Sequence, residues 1–380
     1  MTFSLFDLLL LIGITQGIIA FILLLLTHNE NPSHVFLAFA ILTFCLLFLK
    51  IMMFYNGMSN MPAFSYLPNA FELATAPLFY LYLLALTEKD FKWQPKYLLH
   101  FLPFAMAELY ALSLFLAAYD LPTVNAKDLM ALRFYYRPIK EVEDWLIVAS
   151  ILTYLFFGYQ KYSQFQQQVK NNTADSAYPT LYWLRNILFL SGVLIIWLVI
   201  NMSLGRLSLV APGTEIHWQL YFIYQAAITY YLSFMAYRQQ KPDLEQIYNP
   251  QDNQPVRKVT SKKAQTMVKE LLNLLNKEKI YLNPSLNIRQ VAKLLSVSPS
   301  NLSQVINERL NKSFRELIND YRIEDIQKKL IDPENKASIL SLALESGFNS
   351  EASFYRVFKN STGQTPKAFI KANTVTKPTL

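Results

Sequence analysis

Seven runs of apolar residues fill the first two thirds of the chain. Each is close to the roughly 20 residues that a helix needs to cross the hydrocarbon of a bilayer. They are Phe3–Thr27, His34–Tyr55, Tyr66–Leu86, Tyr97–Tyr119, Asp144–Tyr162, Leu181–Leu204 and Ile216–Tyr237. The first carries a single charge, Asp7, and has no basic leader. It is also longer than a signal-peptide core, so it reads as a span. The third is the least regular, because Pro68, Glu72 and Pro77 interrupt it. Tyr55, Trp93, Tyr119, Trp145, Trp218 and Tyr237 sit near the ends of runs, where amphipathic rings suit a membrane interface.

The pattern then changes. Lys241–Lys263 holds Pro242, Pro250 and Pro255 among Gln, Asn and Asp, which predicts a hydrated linker. Beyond it, Met267, Val268, Leu271, Leu274 and Leu275 recur at helical spacing. "LNIRQVAKLLSVSPSNLSQVINERL" reads as a helix, a turn and a second helix. Ser298 supplies the cap and Pro299 the first helical position. Leu302, Val305 and Ile306 face inward, leaving Ser300, Asn301, Ser303, Gln304 and Asn307 outward. A helix over Phe314–Leu330 follows and is stopped at Asp332-Pro333.

The same unit then recurs. "LALESGFNSEASFYRVFK" aligns with "VAKLLSVSPSNLSQVIN", with one extra residue in its turn. Ala343 answers Ala292, Phe348 answers Val297 and Asn349 answers Ser298. Phe354, Val357 and Phe358 answer Leu302, Val305 and Ile306. Gly363 answers Asn311, both residue types that tolerate a left-handed helix end, and Thr365 answers the capping Ser313. An internal repeat of this kind is a strong architectural signal.

The predicted fold is therefore all-α: a polytopic seven-helix transmembrane bundle, then an all-α domain with two helix-turn-helix subdomains. The expected divisions are a membrane domain 1–238, a linker 239–262, the helix-turn-helix domain 263–373 and a tail 374–380.

Charge sharpens this picture. The net charge is +8, yet the chain up to Arg238 has 13 basic and 13 acidic residues. From Lys241 onward there are 22 basic and 14 acidic residues. The excess lies wholly in the polar last third, which suggests a polyanionic partner for that part. The basic tail also favours an orientation with the N-terminus outside and the C-terminus in the cytoplasm. One cysteine, Cys45, leaves no internal disulfide or cysteine zinc site. The four histidines lack metal-ligand spacing, so neither metal nor cofactor is expected. There is no HExxH, no phosphate-binding glycine loop and no catalytic pairing within the spans, so the chain does not read as an enzyme.

Two helix-turn-helix units at fixed spacing place their second helices in successive major grooves, about 34 Å apart. In the first unit, Ser300, Asn301, Ser303 and Gln304 are the candidate base contacts, since Asn and Gln pair with an adenine edge. In the second, the outward set is Ser350, Glu351, Ala352, Tyr355, Arg356 and Lys359. Arg356 suits a guanine edge and Lys359 a phosphate. Within the spans, Glu72 and Glu108 stand near prolines. Each is a candidate for sensing or for a carboxylate paired only for packing.

The stretch "GFNSEASFYRVFKNSTGQTP" resembles the signature of the AraC/XylS family of bacterial transcription regulators. "INDYRIEDIQKKL" is similar to that family's linker helix and "LSQVINE" to its first recognition helix. The resemblance covers about Met267 to Ala372, with departures at Asn311 and Ser296, where glycine is more usual. It implies a DNA-binding module fused to a variable sensory module, here the membrane region. The expected partners are double-stranded promoter DNA, RNA polymerase and a second copy of the chain, beside the lipid bilayer. The resulting reading is a regulator of the cytoplasmic membrane that responds to a signal in the envelope or membrane. Its rival is a transporter or intramembrane enzyme carrying a DNA-binding tail.

Overall fold

A computed structural model describes residues 4–27, 32–175, 178, 181–206, 215–238, 242, 244 and 260–374. Apart from 242, 244 and 260–262, the expected linker lies outside the described residues, as does the tail beyond 374. The fold is all-α, with no strand among the described residues. The chain divides into two compact units. One comprises Met1–Ser163 with Leu181–Lys241, the other Gln164–Thr180 with Pro242–Leu380.

The first unit contains α1 (Leu5–Leu26), α2 (Ser33–Tyr55), α3 (Glu72–Thr87), α4 (Leu102–Ala117) and α5 (Val124–Arg133). It also holds most of α6 (Tyr136–Asn172), α7 (Tyr182–Arg206) and α8 (Ile216–Arg238). Asp7, the lone charge of the first run, has a local reason to be there. Its carboxylate accepts from the N–H and hydroxyl of Ser4, while the Ser4 hydroxyl oxygen accepts from the Asp7 N–H, forming a capping box. Asn56, just past α2, donates to the other Asp7 oxygen at 2.9 Å. α1 packs on α2 and α8, α2 on α3, and α7 on α8. Leu8, Leu11, Ile12, Ile18, Ile19 and Ile22 of α1 stay exposed, a surface suited to hydrocarbon rather than water.

Five helical stretches among the described residues are long and apolar enough to cross a membrane. These are α1, α2, Pro95–Ala117 (a 3-10 turn running into α4), α6, and Tyr182–Leu204 of α7. The other two expected runs differ from them. Helix α3 is apolar but has only 16 residues, starting at Glu72 rather than Tyr66. Tyr66 adopts a left-handed φ of 61°, and Pro68 follows it, so the chain there cannot be helical. Helix α8 has 23 residues but is more polar, with His217, Gln219, Gln225 and several tyrosines. Helix α6 runs 37 residues, well past the expected Asp144–Tyr162 at both ends.

The second unit contains α9 (Ser261–Asn276), α10 (Ile288–Leu294), α11 (Pro299–Leu310) and α12 (Phe314–Leu330). These are followed by α13 (Ile339–Glu345), α14 (Glu351–Thr362) and α15 (Pro366–Thr374). It has two cores. Met267, Leu271 and Leu275 of α9 meet Val291, Leu302, Val305 and Ile306 in the first. Leu342, Phe348, Phe354 and Phe358 form the second. Helix α12 serves both: Phe314, Leu317 and Ile318 enter the first core, and Ile323, Ile326 and Leu330 the second.

Candidate nucleic-acid interface

The two helix-turn-helix units share the same backbone hydrogen bond at their turns. Ala292 and Ala343 are buried where the two helices of each unit cross, as small residues must be. After α10, the Val297 N–H donates to the Ala292 carbonyl at 2.9 Å. After α13, the Phe348 N–H donates to the Ala343 carbonyl at 3.1 Å. The residue before each donor is left-handed: Ser296 at φ 53° and Gly347 at φ 91°. Both second helices end on a left-handed residue too, Asn311 at φ 52° and Gly363 at φ 75°.

One correspondence needs correction. Sequence alignment pairs Asn349 with the capping Ser298. In the structure Ser298 accepts the Asn301 N–H at 3.2 Å, and the equivalent cap is Ser350, which accepts the Ser353 N–H at 3.3 Å. Asn349 is the inserted residue, and its amide donates to the Pro284 carbonyl at 3.2 Å. Ser350 thus starts α14 as its cap, while Ser313 and Thr365 cap α12 and α15.

The two candidate DNA-contact faces differ in access. On α14, Glu351, Arg356 and Lys359 are exposed. Tyr355 is half-buried, its ring centroid 5.2 Å from that of Phe354. On α11, Ser300, Asn301, Ser303 and Gln304 are all only half-exposed. Gln304 donates to Glu308 at 2.8 Å. Ser300, Ser303, Gln304 and Asn307 form one wall of a cleft of about 370 Å³, and Gln164, Gln167, Gln168 and Asn171 help form the other.

The residue that unites the unit was not singled out by its sequence. Arg322, on α12, is 1% exposed. Its Nε donates to the Tyr281 carbonyl at 2.8 Å and Nη2 to the Asn283 carbonyl at 2.7 Å. Nη1 donates to the Ala174 carbonyl at 3.1 Å. Its guanidinium also lies over the ring of Phe348 in the second core, 5.9 Å from the centroid. Burial pushes Arg322 down to about 10, which leaves it charged at neutral pH. The available signal was its place in an i, i+4 row with Ile318 and Ile326, a charge within an otherwise apolar stripe.

Asp325, one turn on, makes a second tie. It accepts from the Tyr281 hydroxyl at 3.3 Å, the Ser346 hydroxyl at 2.9 Å and Lys329 at 2.7 Å. Burial raises its carboxyl, but the bonds from Lys329 and Ser346 outweigh that and hold it below the usual value. Glu316 is lowered chiefly by the Ser313 N–H of its capping box. Groups lowered in this way stabilise the fold above their unfolded values of 3.8 and 4.5. They lose that contribution as pH falls through the folded values. Asp325→Asn is therefore expected to lower the thermal midpoint near neutral pH. Its deficit against the parent should narrow in melts as pH falls below 3.8 and on through the lowered folded value of Asp325.

In the first unit, Glu72 accepts from Lys50 at 3.2 Å and lines a cavity of about 490 Å³. Glu108 does something else: it accepts the Ala70 N–H at 2.8 Å, just ahead of α3. The two candidate carboxylates are thus not part of one constellation.

Residues 291–372 match the helix-turn-helix domain family. The C-terminal region carries a helix-turn-helix domain. An uncharacterized HTH-type transcriptional regulator of Staphylococcus aureus (strain MSSA476) is 33% identical over 90 residues, 24% of this chain and 12% of that protein. The Msm operon regulatory protein of Streptococcus mutans serotype c is 33% identical over 87 residues, 23% of this chain and 31% of that protein. The chain thus spans well under half the length of these relatives. A protein of unknown function from Listeria innocua superposes over 28% of this chain and 95% of its own, with 22% identity and a TM-score of 0.25. A helix-turn-helix domain implies binding to DNA.

Proposed function

We propose that the chain is a sequence-specific, DNA-binding transcription regulator held in the membrane by its N-terminal helices. The observation that carries this reading is the pair of like-built turns, each presenting a second helix, joined through α12. The relatives named above as regulators support it. The five long apolar helices, with α3 and α8 beside them, support a seven-span arrangement of residues 1–238. The basic excess after Lys241 supports placing the N-terminus outside and residues 263–373 in the cytoplasm. Promoter DNA is the partner of that segment, where it would also meet RNA polymerase. Pairing of two chains through the spans would raise the effective concentration of the DNA-binding domains at adjacent sites. Glu72, beside a cavity, is the residue we assign to sensing; Glu108 has a sufficient structural role at Ala70.

On this reading Ser300, Asn301, Ser303 and Gln304 contact bases from α11, and Ser350, Glu351, Tyr355 and Arg356 from α14, with Lys359 on a phosphate. Two substitutions separate these roles. Arg356→Ala should cost about 1–3 kcal/mol of discrimination at one base position. Lys359→Ala should weaken all sequences alike and lower the salt slope by about 1. Competition binding by the full chain in lipid nanodiscs, at several salt concentrations, measures both. Equal effects of Arg356→Ala on every sequence would remove it from base reading.

A further inference from the structure

The first unit contains a cavity lined by both polar and apolar side chains. Its 490 Å³ cavity is within the range of small-molecule sites. Its walls come from α2, α3, α6, α7 and α8, and its polarity is graded. Lys50, Glu72, Asp144, Asn201 and Trp218 lie where α2 and α7 end and where α3, α6 and α8 begin. That is the end of the unit where Asn56 reaches Asp7, at the start of α1. Further along the same helices the lining is mostly apolar, with Ala40, Phe79, Leu155, Leu188, Ile228 and Leu232.

Three acceptor oxygens of the lining have no donor among the described residues. Glu72 uses one oxygen for Lys50, and its other, Oε2, is buried with no hydrogen-bond partner among the described residues. Asn201 donates to the His217 carbonyl at 3.3 Å, which fixes its amide, yet its Oδ1 is likewise buried and unpartnered. Gln225 Oε1 is a third such acceptor. Asn201 is 1% exposed and Gln225 5% exposed. Buried acceptors without donors are costly and call for a partner. The described lining carries one cation, Lys50, against two carboxylates, Glu72 and Asp144.

From these observations we infer that the cavity binds an amphiphile with a cationic, hydrogen-bond-donating head and a hydrocarbon body. Its head sits among Glu72, Asn201 and Gln225, and its chain lies along the apolar walls. This deepens the sensing role assigned to Glu72 and rests on that reading. An anionic head would face the same unpaired acceptors and the carboxylates of Glu72 and Asp144.

Decylammonium and decanoate, which share a similar hydrocarbon chain and differ in the sign of the head, test this on the full chain in zwitterionic nanodiscs. Decylammonium should raise the thermal midpoint saturably and change the emission of Trp218, a change absent in Trp218→Phe. Glu72→Gln or Asn201→Leu should weaken it at least about tenfold, and decanoate should bind at least about tenfold more weakly than decylammonium. Equal binding of the two probes, or binding untouched by either substitution, overturns the site. DNA affinity is measured in the same samples. Amphiphile binding that leaves DNA affinity unchanged keeps the site and removes its sensing role.

A separate set of contacts supports a second inference. The end of α6 and the residues after it belong to the same compact unit as the helix-turn-helix domain. Thr173 pairs with Asn287 in an isolated bridge, and the Ala174 N–H donates to the Leu286 carbonyl at 3.1 Å. Arg315 donates to the Thr173 carbonyl at 3.1 Å and Arg322 to that of Ala174 at 3.1 Å. Ala174 is itself part of the first core. Held in this way, Gln164, Gln167, Gln168 and Asn171 stand across the cleft from Ser300, Ser303 and Gln304. These last three are among the four α11 residues that the DNA-binding reading assigns to bases. Gln168 Oε1 and Gln304 Oε1 are both buried without a hydrogen-bond partner among the described residues.

We propose that this segment is an autoinhibitory strap, occupying the α11 reading face until it is withdrawn. Since α6 is one helix from Tyr136 to Asn172, the strap is the covalent continuation of a membrane-type helix. Gln168→Cys with Gln304→Cys, in a Cys45→Ala background, allows the strap to be fixed with a thiol-reactive linker that contains a cleavable disulfide. Linked protein in nanodiscs should lose affinity for the DNA fragments it bound before linkage, and reductive cleavage should restore it. Linked protein with unchanged affinity, or a cysteine pair that fails to link, overturns the proposal. A chain that binds no DNA before linkage argues instead against the regulator reading.

Discussion

Arg322→Ala is expected to destabilise the second unit by at least about 3 kcal/mol, the largest effect of any single substitution proposed for this protein. The side chain donates to three carbonyls, two of them buried (Tyr281 and Ala174) and the third that of Asn283, and it carries its charge into a site 1% exposed. Alanine removes all three donors and leaves the Tyr281 and Ala174 carbonyls buried without them, with a cavity between the two cores. Arg322→Lys retains the charge but not the planar fork, so it should rescue only part of the loss. Thermal and urea unfolding of the full chain followed by helical circular dichroism reads this as an early transition. A change under about 1 kcal/mol would mean that the two subdomains do not depend on this residue.

Gly347→Ala is expected to cost about 2–4 kcal/mol through two effects. The residue sits at φ 91°, outside what a side chain tolerates. A Cβ there would lie 2.5 Å from the Tyr281 carbonyl oxygen and 2.9 Å from Arg322 Nε. The first of these is backbone and is already engaged by Arg322, so neither partner can withdraw without breaking the tie between subdomains. The equivalent turn residue, Ser296, is left-handed but at φ 53°, a region polar residues do visit. Ser296→Gly should therefore be nearly neutral. The same melts test the pair. A loss on Ser296→Gly as large as that on Gly347→Ala would contradict this account of the two turns.

These two residues mark what the sequence made legible and what it hid. The apolar spacing of Leu302, Val305 and Ile306, and of Phe354 and Phe358, gave both cores, because a helix buries its i, i+3, i+4 face whatever surrounds it. The limits of α12 were legible because Ser313 caps one end and Asp332-Pro333 stops the other. Arg322 was not, because its partners are backbone carbonyls, and carbonyls carry no residue identity. The inserted residue of the second turn was legible as an insertion, but assigning the cap to Ser350 rather than Asn349 needed backbone geometry. The third apolar run was overread. Hydropathy counts Tyr66–Leu86 as one element, while the left-handed Tyr66 and Pro68 delay helix α3 to Glu72. Similarly, α6 outlasts its apolar stretch, because Gln and Lys are good helix formers and nothing stops them before Asn172. The contacts of Thr173 and Ala174 with the helix-turn-helix domain, over a hundred residues away in sequence, left no local trace.

The most direct test of the account is selection of genomic DNA by the full chain in nanodiscs, at low and at physiological salt, with the bound fragments sequenced. The account expects enrichment of a bipartite site whose halves lie about one helical turn, 10–10.5 base pairs, apart. That enrichment should survive the higher salt and should relax at one position in Arg356→Ala. Recovery of all sequences in proportion to their abundance, with affinity that simply vanishes as salt rises, would contradict it.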